Sequence, residues 1–207
     1  GWEDLDTLHV AARQDYGTIL LAVLDAGPGG PAGPRGGGPG ASRGAGTRAR
    51  SSLTAEPLSM VAVMASSTVQ LRFASHPVPQ DRVTGTLPLE QWRSRDAAGL
   101  RANGSLALGL TARCCELIGP GPLDEQLAGC RTALDTAGPD AMPGARAAAC
   151  ELALRATAAL VVTQGSRAIL AGHDAQRLAR EALFLLVFGS RPAIKEELAG
   201  LLTRPMG

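Results

Sequence analysis

The sequence predicts an α+β fold: a partial antiparallel β domain followed by an up-down four-helix bundle. Three observations predict it. Short β-rich runs with polar turns are confined to residues 1–92. From about Trp92 onward Ala, Leu and Arg dominate in long apolar-periodic stretches punctuated by Gly-Pro pairs. Between the first two β runs and the rest lies a Gly/Pro-rich segment that fits no packed element.

Composition sets the outer limits. The chain has 207 residues, is 45% hydrophobic and 19% charged, and carries a formal net charge of +1. That is enough apolar residue for one or two small domains. It leaves no excess of positive charge to neutralise phosphates, so nucleic acid is not an expected partner. No run of 18 apolar residues occurs, so no membrane span is expected. The only lysine is Lys195, and arginine supplies the remaining positive side chains.

Thr7 to Arg13 and Gly17 to Leu24 are apolar runs separated by Gln14-Asp15-Tyr16-Gly17, which reads as a hairpin. Residues 27–52 hold ten glycines and four prolines in 26 positions without a Gly-X-Y period. Such a segment is expected to be a flexible insertion, because it buries too little to offset its chain entropy. Its Arg35, Arg43, Arg48 and Arg50 are too dispersed to form a strong anion patch. Strand character resumes at Leu53, with β-rich runs expected over 58–64 and 68–73, where Val69, Leu71 and Phe73 alternate with Gln70 and Arg72. Pro77 and Pro79 bar a central strand and mark an exit segment over 78–83.

Helices are expected over 96–118, 123–137, 145–171 and 174–188, with a short final one over 193–202. The stops are Gly119-Pro120-Gly121-Pro122, Gly138-Pro139 and Gly189 with Pro192; Asp174 is the expected N-cap of the fourth helix. The two expected domains are therefore 1–92 and 93–207. The β half would leave open sheet edges and an uncovered face.

Local chemistry is sparse. Cys114, Cys115, Cys130 and Cys150 show no C-x-x-C spacing and no histidine pair, so a metal site is not expected and reduced, partly buried thiols are. His9, His76 and His173 read as surface or capping residues. No G-x-S-x-G, P-loop or H-E-x-x-H motif occurs. Arg177 and Arg180 are placed to pair with Glu181 or with a partner subunit.

Four stretches nevertheless stand in a telling order. They are Trp2 to Arg13 (GWEDLDTLHVAAR), Met64 to Val83 with Phe73, Val78, Pro79 and Val83 in a Phe…Val-Pro…Val pattern, Ala107 to Arg113 (ALGLTAR), and Asp174 to Ala182 (DAQRLAREA). Together they resemble the second half of the acyl-CoA dehydrogenase family of flavoproteins: part of the middle β domain, then the C-terminal bundle. The resemblance implies FAD as cofactor, an acyl-CoA thioester as substrate and assembly into homo- or hetero-oligomers of such chains. It also implies a place in fatty acid metabolism; the reduced thiols lead separately to the expectation of a cytoplasmic setting.

The same resemblance exposes departures. The family's T-E-P-x-x-G-S-D segment, which lines the flavin and the acyl pocket, has no counterpart. Its catalytic Glu, in a Y-E-G-T stretch, falls here on Gly189 or, with a one-residue slip, on Phe188; neither can take a proton. The alternative position on the first bundle helix falls near Gly99-Leu100. No residue is therefore assigned as catalytic. The R-x-x-F-G flavin grip is replaced by Gly119 to Leu123, and Gln126 matches a following glutamine. The Q-x-x-G-G stretch becomes Val161 to Gly165, keeping Gln164 and Gly165. Gln126, Gln164 and Gly165 are thus the expected cofactor contacts.

The leading expectation is a dehydrogenase-like chain that does not complete the reaction alone, as a partner subunit or an N-terminally incomplete member. The alternatives are an active flavin-dependent oxidoreductase using Asp96 or Glu181 as a non-standard base, and a non-enzymatic oligomerisation scaffold.

Overall fold

The structure is a computed structural model that describes residues 5–14, 17–26, 52–94 and 96–204, with the side chains of residues 94 and 96–98 excepted. The Gly/Pro-rich insertion, apart from Ser52, and the opening Trp2 lie outside the described residues. The chain divides into two compact units, Gly1–Trp92 and Arg93–Gly207.

In the first unit, β1 (Thr7–Arg13) pairs antiparallel with β2 (Thr18–Asp25), as the hairpin reading expects. β2 is central and pairs on its other side with β5 (Val83–Pro88), giving the order β1-β2-β5. The near-continuous apolar run of β2 suits a strand covered on both faces. Ile19 opposite Leu87 is buried on one face, and Ala22 and Leu24 are buried on the other. A second, two-stranded sheet joins β3 (Leu53–Pro57) to β4 (Val69–Phe73).

The strand expected over 58–64 does not form. The last hairpin bond runs from the Leu58 N–H to the Thr68 carbonyl. Between them the chain turns through Val63 and Ser67, both left-handed, around a 3-10 turn at Met64–Ser66. The exit segment contains a 3-10 turn at Gln80–Arg82, and it leads into β5 and the short helix α1 (Leu89–Ser94), neither of which the sequence reading marked.

The second unit holds α2 (Asp96–Ile118), α3 (Pro122–Thr136), α4 (Met142–Gln164), α5 (Asp174–Val187) and α6 (Pro192–Leu202). α4 is the axis: it packs against α2, α3, α5 and α6. Its inward stripe is small, with Ala147, Ala149, Ala153 and Ala156 fully buried, so the neighbouring helices approach closely. Leu152, Leu160, Leu134 and Ile194 fill the spaces between. α3 starts cleanly because Asp124 accepts from the Gly121 N–H at 2.8 Å. The third helix is shorter than expected. Gly165, at φ 65°, ends it at Gln164, and a 3-10 turn carries the chain to Ile169.

Candidate functional site

The break at Gly165 shapes the candidate site. Its N–H is held by the Val161 and Val162 carbonyls, so the chain leaves α4 in a fixed direction. It returns through Gly172, at φ 84°, to the start of α5. The N-cap there is His173 and not Asp174: His173 Nδ1 accepts the Ala175 N–H at 3.2 Å. Histidine caps here because its residue takes the extended conformation before the first turn, which leaves Asp174 as the first helical residue. Between these ends lies a cavity of about 400 Å³, walled by Leu117, Leu160 and Gln164 on one side and by His173 and Asp174 on the other.

Of the three expected cofactor contacts, Gln164 lies at this cavity and Gly165 follows it directly. A Cβ on Gly165 would meet no neighbouring atom within 4 Å, so its requirement for glycine is conformational and not steric. Gln126 lies elsewhere. Its Oε1 accepts from Arg155 Nη1 at 2.8 Å on the exposed α3–α4 face, and Arg155 also donates to Glu151 at 2.5 Å. Arg155 precedes Gln164 by nine residues, about 14 Å along the helix axis. Of the three, only Gln164 lines the cavity, and Gly165 is its sequence neighbour.

Two carboxylates on α5 share one guanidinium. Asp174 accepts from Arg177 Nη2 at 3.2 Å, and Glu181 accepts from Arg177 Nη1 at 2.9 Å. Those hydrogen bonds, Glu181 first, raise Arg177 above its ordinary range. Glu181 is therefore half of an ion pair on one helix face. The side chain of Asp96 lies outside the described residues. At the end of α5, Phe188 stacks on Phe184 with centroids 4.9 Å apart. Gly189, at φ 59°, sits where a Cβ would come 2.5 Å from Asn103 Nδ2.

The remaining histidines and the cysteines lie away from this cavity's lining. His9 is exposed on β1, and His76 Nδ1 bonds Ser52 Oγ at 2.8 Å. The four cysteines are unpaired, with Cys114, Cys115 and Cys150 buried. Burial raises Cys114 to about 11, with the neighbouring Cys115 adding to it. Among the described residues no group of three metal-ligating side chains converges.

The sequence reading missed Arg146. It is 1% exposed and donates from Nη2 to the Leu185 and Phe188 carbonyls at 2.9 and 3.2 Å, and from Nη1 to Cys150 Sγ. It caps the C-terminal end of α5 from inside the core, where a cation also meets the negative pole of the helix. The available signal was its position: Arg146 lies in register with Ala149, Cys150, Ala153 and Leu160 on the buried stripe of α4.

No protein-family model and no curated protein matches this chain. Solved structures do. A chain in the structure of the electron transferring flavoprotein of Acidaminococcus fermentans matches with a TM-score of 0.68 at 14% identity, over 97% of this chain and 57% of that one. Butyryl-CoA dehydrogenase from Megasphaera elsdenii matches with a TM-score of 0.68 at 15% identity, over 96% of this chain and 56% of that one. XiaF from Streptomyces sp., solved in complex with FADH2 and glycerol, matches with a TM-score of 0.57 at 16% identity, over 100% and 63%. The chain therefore has the fold seen in acyl-CoA dehydrogenase-type structures and spans little more than half of their length. At such identities the likeness establishes the fold, and function has to be argued from the site.

Proposed function

We propose that this chain is an acyl-CoA dehydrogenase-type flavoprotein chain that works in an assembly with other chains of its kind and does not carry out dehydrogenation by itself. One observation carries the reading: the two positions where the family's catalytic Glu would fall hold Phe188 and Gly189, and Glu181 is engaged by Arg177. A positioned carboxylate is the minimum requirement for removing an α-proton from a thioester.

The groups around the cavity fit part of a flavin dinucleotide. Gln164 offers an amide donor and acceptor, a Cβ at Gly165 would meet no neighbouring atom, and His173 and Asp174 line the opposite wall, with Arg167 exposed on the adjoining 3-10 turn outside the lining. About 400 Å³ accommodates a portion of such a ligand, so the rest of its contacts would come from another chain. Gln164 and Gly165 would hold and orient it; the chemistry a flavin supplies is hydride acceptance. Gln126, engaged by Arg155, would join only by exchanging that partner.

The need for an assembly is also supported by the surface. Val162, Ile169 and Leu170 are 80%, 76% and 57% exposed around this end of the second unit, more apolar exposure than a solitary helix corner favours. A cytoplasmic setting belongs to the same proposal. No helix of the described residues is long and apolar enough to cross a membrane.

The test is spectroscopic. The purified chain is titrated with FAD and then with a series of acyl-CoA thioesters while the flavin band is recorded. The expected outcome is weak flavin uptake, lowered further by Gln164→Ala, and no bleaching by thioester. Stoichiometric flavin with acyl-CoA bleaching by the lone chain would overturn the reading.

A further inference from the structure

His173 has two ring nitrogens, and the fold uses one of them. Its Nδ1 accepts the Ala175 N–H at 3.2 Å. Its main chain is held on both sides: the His173 N–H donates to the Leu170 carbonyl at 3.0 Å, and the Arg177 N–H donates to the His173 carbonyl at 3.3 Å. A ring nitrogen that accepts carries no proton, so the uncharged imidazole is the Nε2–H tautomer. Neither Nε2 nor the Gln164 amide has a hydrogen-bond partner among the described residues. Two donor side chains thus line one cavity beside the apolar Leu117, Leu160 and Ala175.

The start of a helix ordinarily favours a phosphate, through free N–H groups and the positive end of the dipole. Here both attractions are reduced. The Ala175 N–H is already taken by His173. Asp174 is the one charged residue in the lining, and its charge is negative. Arg177 is shared between Asp174 and Glu181, so the cluster keeps a net negative charge. The other lining side chains, from α2 and α4, are the uncharged Leu117, Leu160 and Gln164.

We propose that His173 is a binding residue of this cavity, donating from Nε2–H to an uncharged oxygen of the ligand, and that the cavity selects a hydroxyl or carbonyl over a phosphate. Gln164 supplies the second hydrogen bond from the opposite wall. The same imidazole therefore starts α5 through one nitrogen and reads the ligand through the other. This rests on the flavin reading: it gives the cavity an uncharged portion of the dinucleotide and leaves the phosphates outside the lining. It also explains why histidine caps here, since Ser, Asp or Asn would close the helix equally well but would hold no donor at the far side of the ring.

The whole chain is titrated with FAD while flavin fluorescence is followed. His173→Asn keeps a capping oxygen in place of Nδ1 but has no donor in place of Nε2. It is expected to leave the thermal midpoint unchanged and to weaken FAD about fivefold, the loss of one hydrogen bond. His173→Ala loses cap and donor together, so its midpoint is also expected to fall, by about 2–4 °C. In competition, pyrophosphate is expected to leave FAD bound, whereas adenosine or riboflavin, its uncharged ends, displaces it. Proton–nitrogen NMR of the imidazole is expected to show the Nε2–H tautomer. Displacement by pyrophosphate overturns the proposal, as does an Nδ1–H tautomer. A loss of affinity in Gln164→Ala with none in His173→Asn overturns this proposal alone. No FAD uptake by the wild type overturns the flavin reading, and this proposal with it.

Discussion

Arg146 donates to the Leu185 carbonyl at 2.9 Å, joining the middle of the bundle to the end of α5. Its guanidinium is buried, with backbone carbonyls and a thiol as its partners in place of a carboxylate. Two terms oppose each other when it is replaced. Losing the donors strands the Phe188 carbonyl, at about 1–3 kcal/mol, and leaves Leu185 with only the weak Cys150 thiol donor at 3.4 Å, while losing the charge removes a desolvation cost of several kcal/mol. Arg146→Met is therefore expected to destabilise by about 1–3 kcal/mol. Arg146→Lys is expected to cost more, because it keeps the buried charge but has no planar fork for two carbonyls. Urea midpoints for the two variants check the order; a Lys variant more stable than the Met variant contradicts this account.

Gly189 is fixed by its backbone more than by its neighbour. A Cβ there meets Asn103 Nδ2, the mobile end of a side chain that can rotate aside. The φ of 59° cannot be relieved in the same way. Gly189→Ala is expected to cost about 1–2 kcal/mol, and most of that loss should remain in an Asn103→Ser background. Thermal unfolding of the double variant tests the division.

Gly104 lies under Leu134, whose Cδ1 and Cδ2 stand 2.8 Å from where a Cβ would sit. Helix propensity favours Gly104→Ala by about 1 kcal/mol, but overpacking of a buried contact costs about 1–3 kcal/mol. The contact should win, giving net destabilisation. Leu134→Val, which shortens the clashing side chain, should recover part of it. A double-mutant cycle by denaturant unfolding would read the coupling, and strict additivity would reject the contact as its source.

Cys114 gives a pH dependence with a definite sign. Its folded-state value is about 11, against an ordinary thiol value of 9.0, because burial disfavours the thiolate. The folded state therefore holds its proton where the unfolded chain has lost it. The associated stability is fully present below pH 9 and falls as pH rises toward 11, by about 2–3 kcal/mol in all. Unfolding midpoints measured from pH 8 to 11 should fall less steeply in Cys114→Ala than in the wild type. The same burial predicts slow alkylation of Cys114 in the native chain.

Periodic and punctuated features were legible in the sequence. The β1–β2 hairpin, β4 and the five bundle helices could be found because alternation, Gly-Pro stops and the apolar stripe are local. The strand expected at 58–64 failed because the chain turns through two left-handed residues, Val63 and Ser67, after the last ladder bond at Leu58, while β5 had no local signal as strong as its pairing with β2. The third helix ended early because a single glycine took a positive φ that its helical context did not announce.

The sequence by itself determined the α+β order, the helix periodicity and the scarcity of candidate bases, since these depend on residue type and spacing along one chain. Tertiary structure decided the rest. It separated Gln126 from Gln164, locked Glu181 into an ion pair, gave the α5 cap to His173 and found partners for Arg146 among carbonyls thirty-nine and forty-two residues away. Those outcomes depend on which helix faces meet. That is set by burial summed over the whole bundle, and no window of sequence contains it.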